Sequence, residues 1–119
     1  MIFHLNPIAK PRMTQADRWK KRPAVMKYRA FCDELREQAI KDYFELPETF
    51  SIVFYLPMPR SWSNPLRQKM AGCPHQQRPD LDNLLKAVLD AFLLEDKMVW
   101  QVKAEKRWGK FGMIEINEI

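Results

Sequence analysis

Acidic residues are scarce along most of this 119-residue chain. Residues 10–29 carry eight basic side chains against one acid, Asp17; residues 60–78 carry four and none; residues 97–110 carry five against Glu105 alone. Cysteine is scarce as well. Cys32 and Cys73 form neither a close pair nor a metal-ligand spacing, which argues against a disulfide scaffold and a thiolate zinc site. Two free thiols suit a reducing compartment, so the expected location is the cytoplasm. No apolar run approaches the roughly 20 residues that span a bilayer, and the proline-broken opening is too short for a secretory signal. No repeat, low-complexity tract or domain boundary is visible. The expectation is therefore a single domain over residues 1–119, with a hydrophobic fraction of 46% to build its core.

What is present is a basic surface. The formal net charge is +5 and the pI about 9.4. Clustered lysine and arginine form an electrostatic footprint for a phosphate backbone, although a net charge of this size also suits an ordinary solvated surface. The acids decide between the two, because they gather where the basic stretches leave off.

The run Arg78-Pro79-Asp80-Leu81-Asp82-Asn83-Leu84-Leu85-Lys86-Ala87-Val88-Leu89-Asp90 carries three aspartates, an asparagine and a lysine. With about 100° per helical residue and Asp82 as origin, Leu84, Leu85, Val88, Ala91 and Phe92 fall at roughly 180° to 300°. Asp82, Lys86, Asp90 and Asn83 fall opposite, at about 0°, 40°, 80° and 100°. The helix thus buries leucines and presents carboxylates and an amine. Pro79 disfavours helix at Arg78, so the helix begins after it and residues 80–83 are available to cap it.

Each acid has an ordinary reading. An aspartate at a helix start is commonly a cap that complements the dipole, and Lys86 with Asp90 is a standard i,i+4 ion pair. A second acidic pair, Glu95-Asp96, follows the helix and leads into Met98-Val99-Trp100, a turn into a strand that could return Asp96 towards Asp80 and Asp82. Converging carboxylates repel unless a cation lies between them. Magnesium takes oxygen ligands, and such a site can polarise a phosphate and generate hydroxide from water. Carboxylates in a basic chain therefore point to a metal-dependent nuclease.

The pattern Asp80-x-Asp82-Asn83-x-x-Lys86-x-x-x-Asp90, then Asp96-x-x-Val99, resembles the signature of the RusA family of Holliday-junction resolvases. Pro57-Met58-Pro59-Arg60-Ser61-Trp62-Ser63 and residues 69–75 are similar to the segment that precedes the acidic motif in many members, and chain length and element order agree. The resemblance implies a small, homodimeric, magnesium-dependent endonuclease, many relatives being phage or prophage encoded, with manganese as a substitute ion. It implies Asp80, Asp82 and Asp96 as metal ligands, Lys86 as the essential lysine and a supporting place for Asp90. Branched DNA is the implied partner. The cations expected to meet it are Lys10, Arg12, Arg18, Lys20, Lys21, Arg22, Arg60 and Lys69, with Trp62 as a further contact.

The expected fold is α+β: a small mixed sheet of about four strands with two main helices on it. Strands are expected at 1–5, 49–56, 98–108 and 111–119, and helices at 24–43 and 82–94. Residues 58–79 read as a long loop or a loop with a short helical turn, and Gly109-Lys110 as a hairpin turn. Trp62 could wedge between bases or pin this loop to the core. His75 and His4 read as structural, and Trp19 as a base-stacking or dimer-contact residue. Two other functions stay open. One is a non-catalytic nucleic-acid-binding module whose aspartates are caps; the other is a metal-dependent nuclease for other branched DNA.

Overall fold

The fold is seen in a computed structural model that describes residues 1–92 and 96–119, with the backbone alone at Asp96. It is α+β, one compact domain. The elements are β1 (Ile2–Phe3), α1 (Pro23–Lys41), β2 (Thr49–Pro57), α2 (Asn64–Met70), α3 (Leu81–Ala91), β3 (Gln101–Gly109) and β4 (Met113–Glu118), with short 3-10 turns at Gln15–Arg18 and Asp96–Met98. The expected end of α3 at Leu94, and Glu95 after it, lie outside the described residues.

The sheet order is β1-β4-β2-β3. β2 is paired on both edges, and its alternation is strict: Phe50, Ile52, Phe54 and Leu56 are buried, while Ser51, Val53 and Tyr55 on the other face are half-buried. Each side chain on the buried face contributes roughly 1.5–3 kcal/mol by leaving water. Ile114 and Ile116 of β4, Phe3 of β1 and Leu84, Ala87, Val88 and Ala91 of α3 join the same core. Phe3, Phe44 and Phe92 meet edge to face, with ring centroids 5.4 to 6.1 Å apart.

The expected hairpin at Gly109-Lys110 is not formed. β2 lies between β3 and β4, parallel to the first and antiparallel to the second, so the chain crosses the end of β2 instead of turning back on itself. The reason lies in β2, whose two-sided pairing needs a neighbour on each edge. The glycines serve close approach. A Cβ on Gly109 would sit 2.9 Å from the Tyr55 Cβ, and one on Gly112 would sit 2.6 Å from the Asn6 Cα. Trp100, inside the expected 98–108 strand, instead precedes β3 and is largely exposed, while Val102 and Ala104 pack on the core.

The long segment after β2 is ordered by α2 and by a strap. Ser63 caps α2 by accepting a hydrogen bond from the Leu66 N–H. Residues 72–75 then pair along the outer edge of β3: Gly72 and His75 donate to the Trp108 and Lys106 carbonyls, and Trp108 donates to the Cys73 carbonyl. The strap covers part of an edge that would otherwise be free to pair with another chain.

α1 begins at Pro23, whose fixed φ suits the first helical position. It ends in a Schellman motif: the Phe44 N–H donates to the Ala39 carbonyl and the Tyr43 N–H to that of Ile40. Tyr43 therefore takes φ 53°, in the left-handed region. Its side chain is 95% exposed, so it lies beyond the apolar stripe of α1 instead of continuing it. A non-glycine residue there costs roughly 1 kcal/mol or more. Tyr43→Gly should raise the melting temperature by about 4 °C in a thermal scan, since no packing is lost and the backbone cost is removed. A lower melting temperature would show that the ring stabilises the helix end.

Candidate active site

The site is built at the start of α3. Arg78–Pro79 is a cis peptide bond. Asp80 occupies the N-cap position with extended backbone, and its carbonyl accepts the first helical bond from the Leu84 N–H. Its side chain makes no capping hydrogen bond. Asp82 follows in the first turn, where among the described residues its Oδ1 accepts only the adjacent Asn83 N–H, at 2.9 Å. Asp80, Asp82 and Lys86 are all exposed, while the leucine face of the same helix is buried.

A lysine from the sheet fixes the approach to this turn. Lys106 Nζ donates to the Gln77 carbonyl at 2.7 Å and to the Pro79 carbonyl at 2.8 Å. Lys106 shares strand parity with Val102 and Ala104, which pack on the core. A lysine at an inward position was the signal in the sequence that this side chain does something specific. Beside it, His75 is buried against Trp108, ring centroids 4.2 Å apart, and Trp62 packs on the same indole at 4.8 Å. Burial and the nearby Lys106 charge hold the His75 imidazole below its usual pKa, favouring the neutral ring. Its Nδ1 has no partner among the described residues. Trp62 thus helps fasten the segment between α2 and β2 to the sheet.

The polar side of α3 is partly covered by the N-terminal segment. The Lys10 N–H donates to the Asn83 carbonyl at 3.2 Å, and the Lys10 ammonium pairs with Asp90. The Tyr28 hydroxyl donates to Asp90 from α1 at 2.9 Å. Burial, then the bond to Asp90, raises the Tyr28 pKa strongly, so the phenol stays protonated and remains a donor. The expected Lys86–Asp90 pair is therefore replaced by a Lys10–Asp90 pair. Lys86 makes no hydrogen bond or ion pair among the described residues, and with Lys10, Arg12, Asn83 and Asp90 it lines a cleft of about 580 Å³.

Other predicted cations divide by what holds them. The Arg22 guanidinium is committed to Asp17, at 2.7 Å from each carboxylate oxygen, and to the Arg12 carbonyl. Asp17 is buried; the Arg22 bond, followed by the Thr14 N–H, holds its carboxyl far below the usual range. This pair shapes the basic loop from inside. Arg12, Arg18, Lys20, Lys21, Arg60 and Lys69 are exposed. Trp19 is 71% exposed. The side chain of Asp96 lies outside the described residues; its backbone opens the short turn that leads to β3. Among the described residues, no three His, Cys, Asp or Glu side chains converge as a metal-binding cluster.

The free N-cap carboxylate and the second aspartate at the start of α3, with Lys86 exposed a turn further on, carry the motif into three dimensions. The sequence model of the family described as endodeoxyribonuclease RusA matches residues 4–117. The chain belongs to the RusA family. No individual curated protein matches it. As a member of a family of Holliday-junction-resolving endodeoxyribonucleases, it is read as a phosphodiester-cutting enzyme acting on DNA. No helix among the described residues is long and apolar enough to cross a membrane.

In this RusA-family fold Lys106 holds the Pro79 carbonyl, immediately before Asp80. Lys106→Met should lower the single-turnover cleavage rate about tenfold at saturating DNA, because small misplacements of reacting groups cost rate steeply. DNA affinity should change little. An unchanged rate would show that Pro79 holds the turn without help.

Proposed function

We propose that this protein cuts four-way DNA junctions as a homodimer, using Mg²⁺ held by Asp80, Asp82 and Asp96, with Mn²⁺ as a substitute. The observation that carries the reading is the N-cap carboxylate of Asp80, which is exposed and makes no cap bond although it sits where capping is easiest. Two neighbouring carboxylates left to solvent inside a basic chain fit a hard divalent cation, which takes oxygen ligands. The same observation weakens the binding-module alternative, in which the aspartates serve as caps.

Each group then has a role. When bound, Mg²⁺ supplies polarisation of the scissile phosphate and a more acidic water. Asp80 and Asp82 hold it at the start of α3, and Asp96 is the third carboxylate of the set. Lys86, which has no ion-pair partner among the described residues, stabilises the negative charge that develops on the phosphate oxygens. Asp90 keeps Lys10 against the helix and so leaves Lys86 free. Lys10 and Arg12 flank the cleft and draw the phosphate backbone towards it. A two-fold dimer sets two such sites on symmetry-related strands. The half-buried sheet face that carries Val53, Tyr55 and Met113 lies outside the core and supports that assembly.

The test is a synthetic four-way junction incubated with and without Mg²⁺. Paired nicks in opposed strands are expected only with the ion. Asp80→Asn, Asp82→Asn and Asp96→Asn should each abolish cutting while junction binding stays within a few-fold, because binding rests on the cations. Wild-type cutting by Asp80→Asn or Asp82→Asn would overturn the site.

Lys86→Ala is expected to lower the rate at saturating DNA by about 100-fold, as loss of a charge-stabilising donor does elsewhere. A variant silent on rate would make Lys86 an ordinary helix-surface lysine.

A further inference from the structure

A second groove, of about 1360 Å³, has no lining residue from α3. Four separate parts of the fold wall it: the N-terminal segment through His4 and Ile8, α1 through Lys27 and Glu34, the segment after β2 through Arg60, and the β3–β4 connection through Lys110 and Phe111. Lys27, Arg60 and Lys110 are exposed, and none is in an ion pair or donates a hydrogen bond to the protein among the described residues. Glu34 is the one acid in the lining. Three cations from distant points of the sequence, without an ion pair among the described residues, thus face a single channel.

The rim carries an aromatic ring to match. Phe111 is 67% exposed, with Lys110 Nζ 5.5 Å from its ring centroid. Burying a phenylalanine is worth roughly 1.5–3 kcal/mol, so this ring forgoes most of that in the free protein. The groove is larger than the roughly 300–1,000 Å³ of small-molecule sites and suits a chain-like ligand. Cations along a groove with an exposed aromatic face are the means by which proteins hold unpaired nucleic acid, phosphates on the charges and a base on the ring. A base inside a duplex has both faces already stacked and cannot use Phe111. The groove also adjoins the acidic site along the chain: Ile8 lines it, and Lys10, two residues on, lines the cleft beside Lys86.

We propose that this groove holds a single-stranded segment of the DNA substrate, with phosphates on Lys27, Arg60 and Lys110 and a base stacked on Phe111. The proposal rests on the nuclease reading for the identity of the ligand as DNA, and its test does not depend on cleavage.

The experiment measures fluorescence anisotropy of a labelled 12-nucleotide oligothymidylate and of a blunt duplex of equal length (about one OB-fold site in size), with full-length protein and no divalent ion. Phe111→Ala should weaken single-strand binding about tenfold, within the range of base–aromatic stacking, and leave duplex binding within about twofold. Phe111→Trp should restore it. The triple change Lys27→Gln, Arg60→Gln and Lys110→Gln should flatten the single-strand log–log salt dependence by about 2 units, at roughly 0.7 per phosphate. Thermal melts of each variant check the fold, which these exposed positions should leave intact. Unchanged single-strand affinity in Phe111→Ala, an unchanged salt slope in the triple variant, or equal losses for duplex and single strand would each overturn the proposal. A wild type that binds as expected yet never cuts a junction in Mg²⁺ would instead sink the nuclease reading.

Discussion

The functional face of this protein depends on how α3 is rolled about its axis, and that roll is set by burial of Leu84, Ala87, Val88 and Ala91. Four side chains on one stripe leave little freedom: a turn of one residue, about 100°, would push a carboxylate into the core. Asp80, Asp82 and Lys86 are therefore aimed outward by the leucine side of their own helix. The carboxylates can stay unpaired because solvent reaches them. The buried acid Asp17 contrasts with them, since it is tied to Arg22 by two bonds and can serve no ligand.

A second layer of order surrounds the helix and consists of cations acting on backbone. Lys106 holds the carbonyls before Asp80, Arg22 holds the Arg12 carbonyl, and Arg36 donates to the Ala91 carbonyl at the end of α3. Several positive charges in this basic chain thus fasten loops and a helix end, while the side chains of Lys27, Arg60, Lys86 and Lys110 make no ion pair or hydrogen bond among the described residues. A count of lysines and arginines mixes these two populations, and their partners separate them.

Much of this was legible in the sequence. The two faces of α3, the ranges of α1 and β2 and the acidic motif follow from periods of 3.6 and 2 and from residue spacing, which are local properties. What escaped was non-local. Gly109-Lys110 looks like a hairpin because nothing nearby reveals that β2 has already taken the place between β3 and β4. The Lys86–Asp90 spacing satisfies a helical pair, yet Lys10 and Tyr28 reach Asp90 from more than 60 residues away. Asp80 at a helix start reads equally as cap or ligand, and that its side chain makes no cap bond shows only in three dimensions. Lys106 and the Phe111 groove needed the tertiary arrangement, although the inward parity of Lys106 was visible.

The parallel pairing of β2 with β3 requires one long excursion between them: 43 residues separate Pro57 from Gln101. The acidic helix, α2 and the strap all lie within it. Closing a long loop costs free energy that grows only logarithmically with length, roughly 0.6 kcal/mol per doubling. The strand register is fixed elsewhere, by nine paired positions along β2 and β3. Insertions or deletions in the excursion can then remodel the surface presented to a substrate while the register stays where it is. In this architecture the part that meets the ligand is free to drift, and the sheet that specifies the fold does not have to follow.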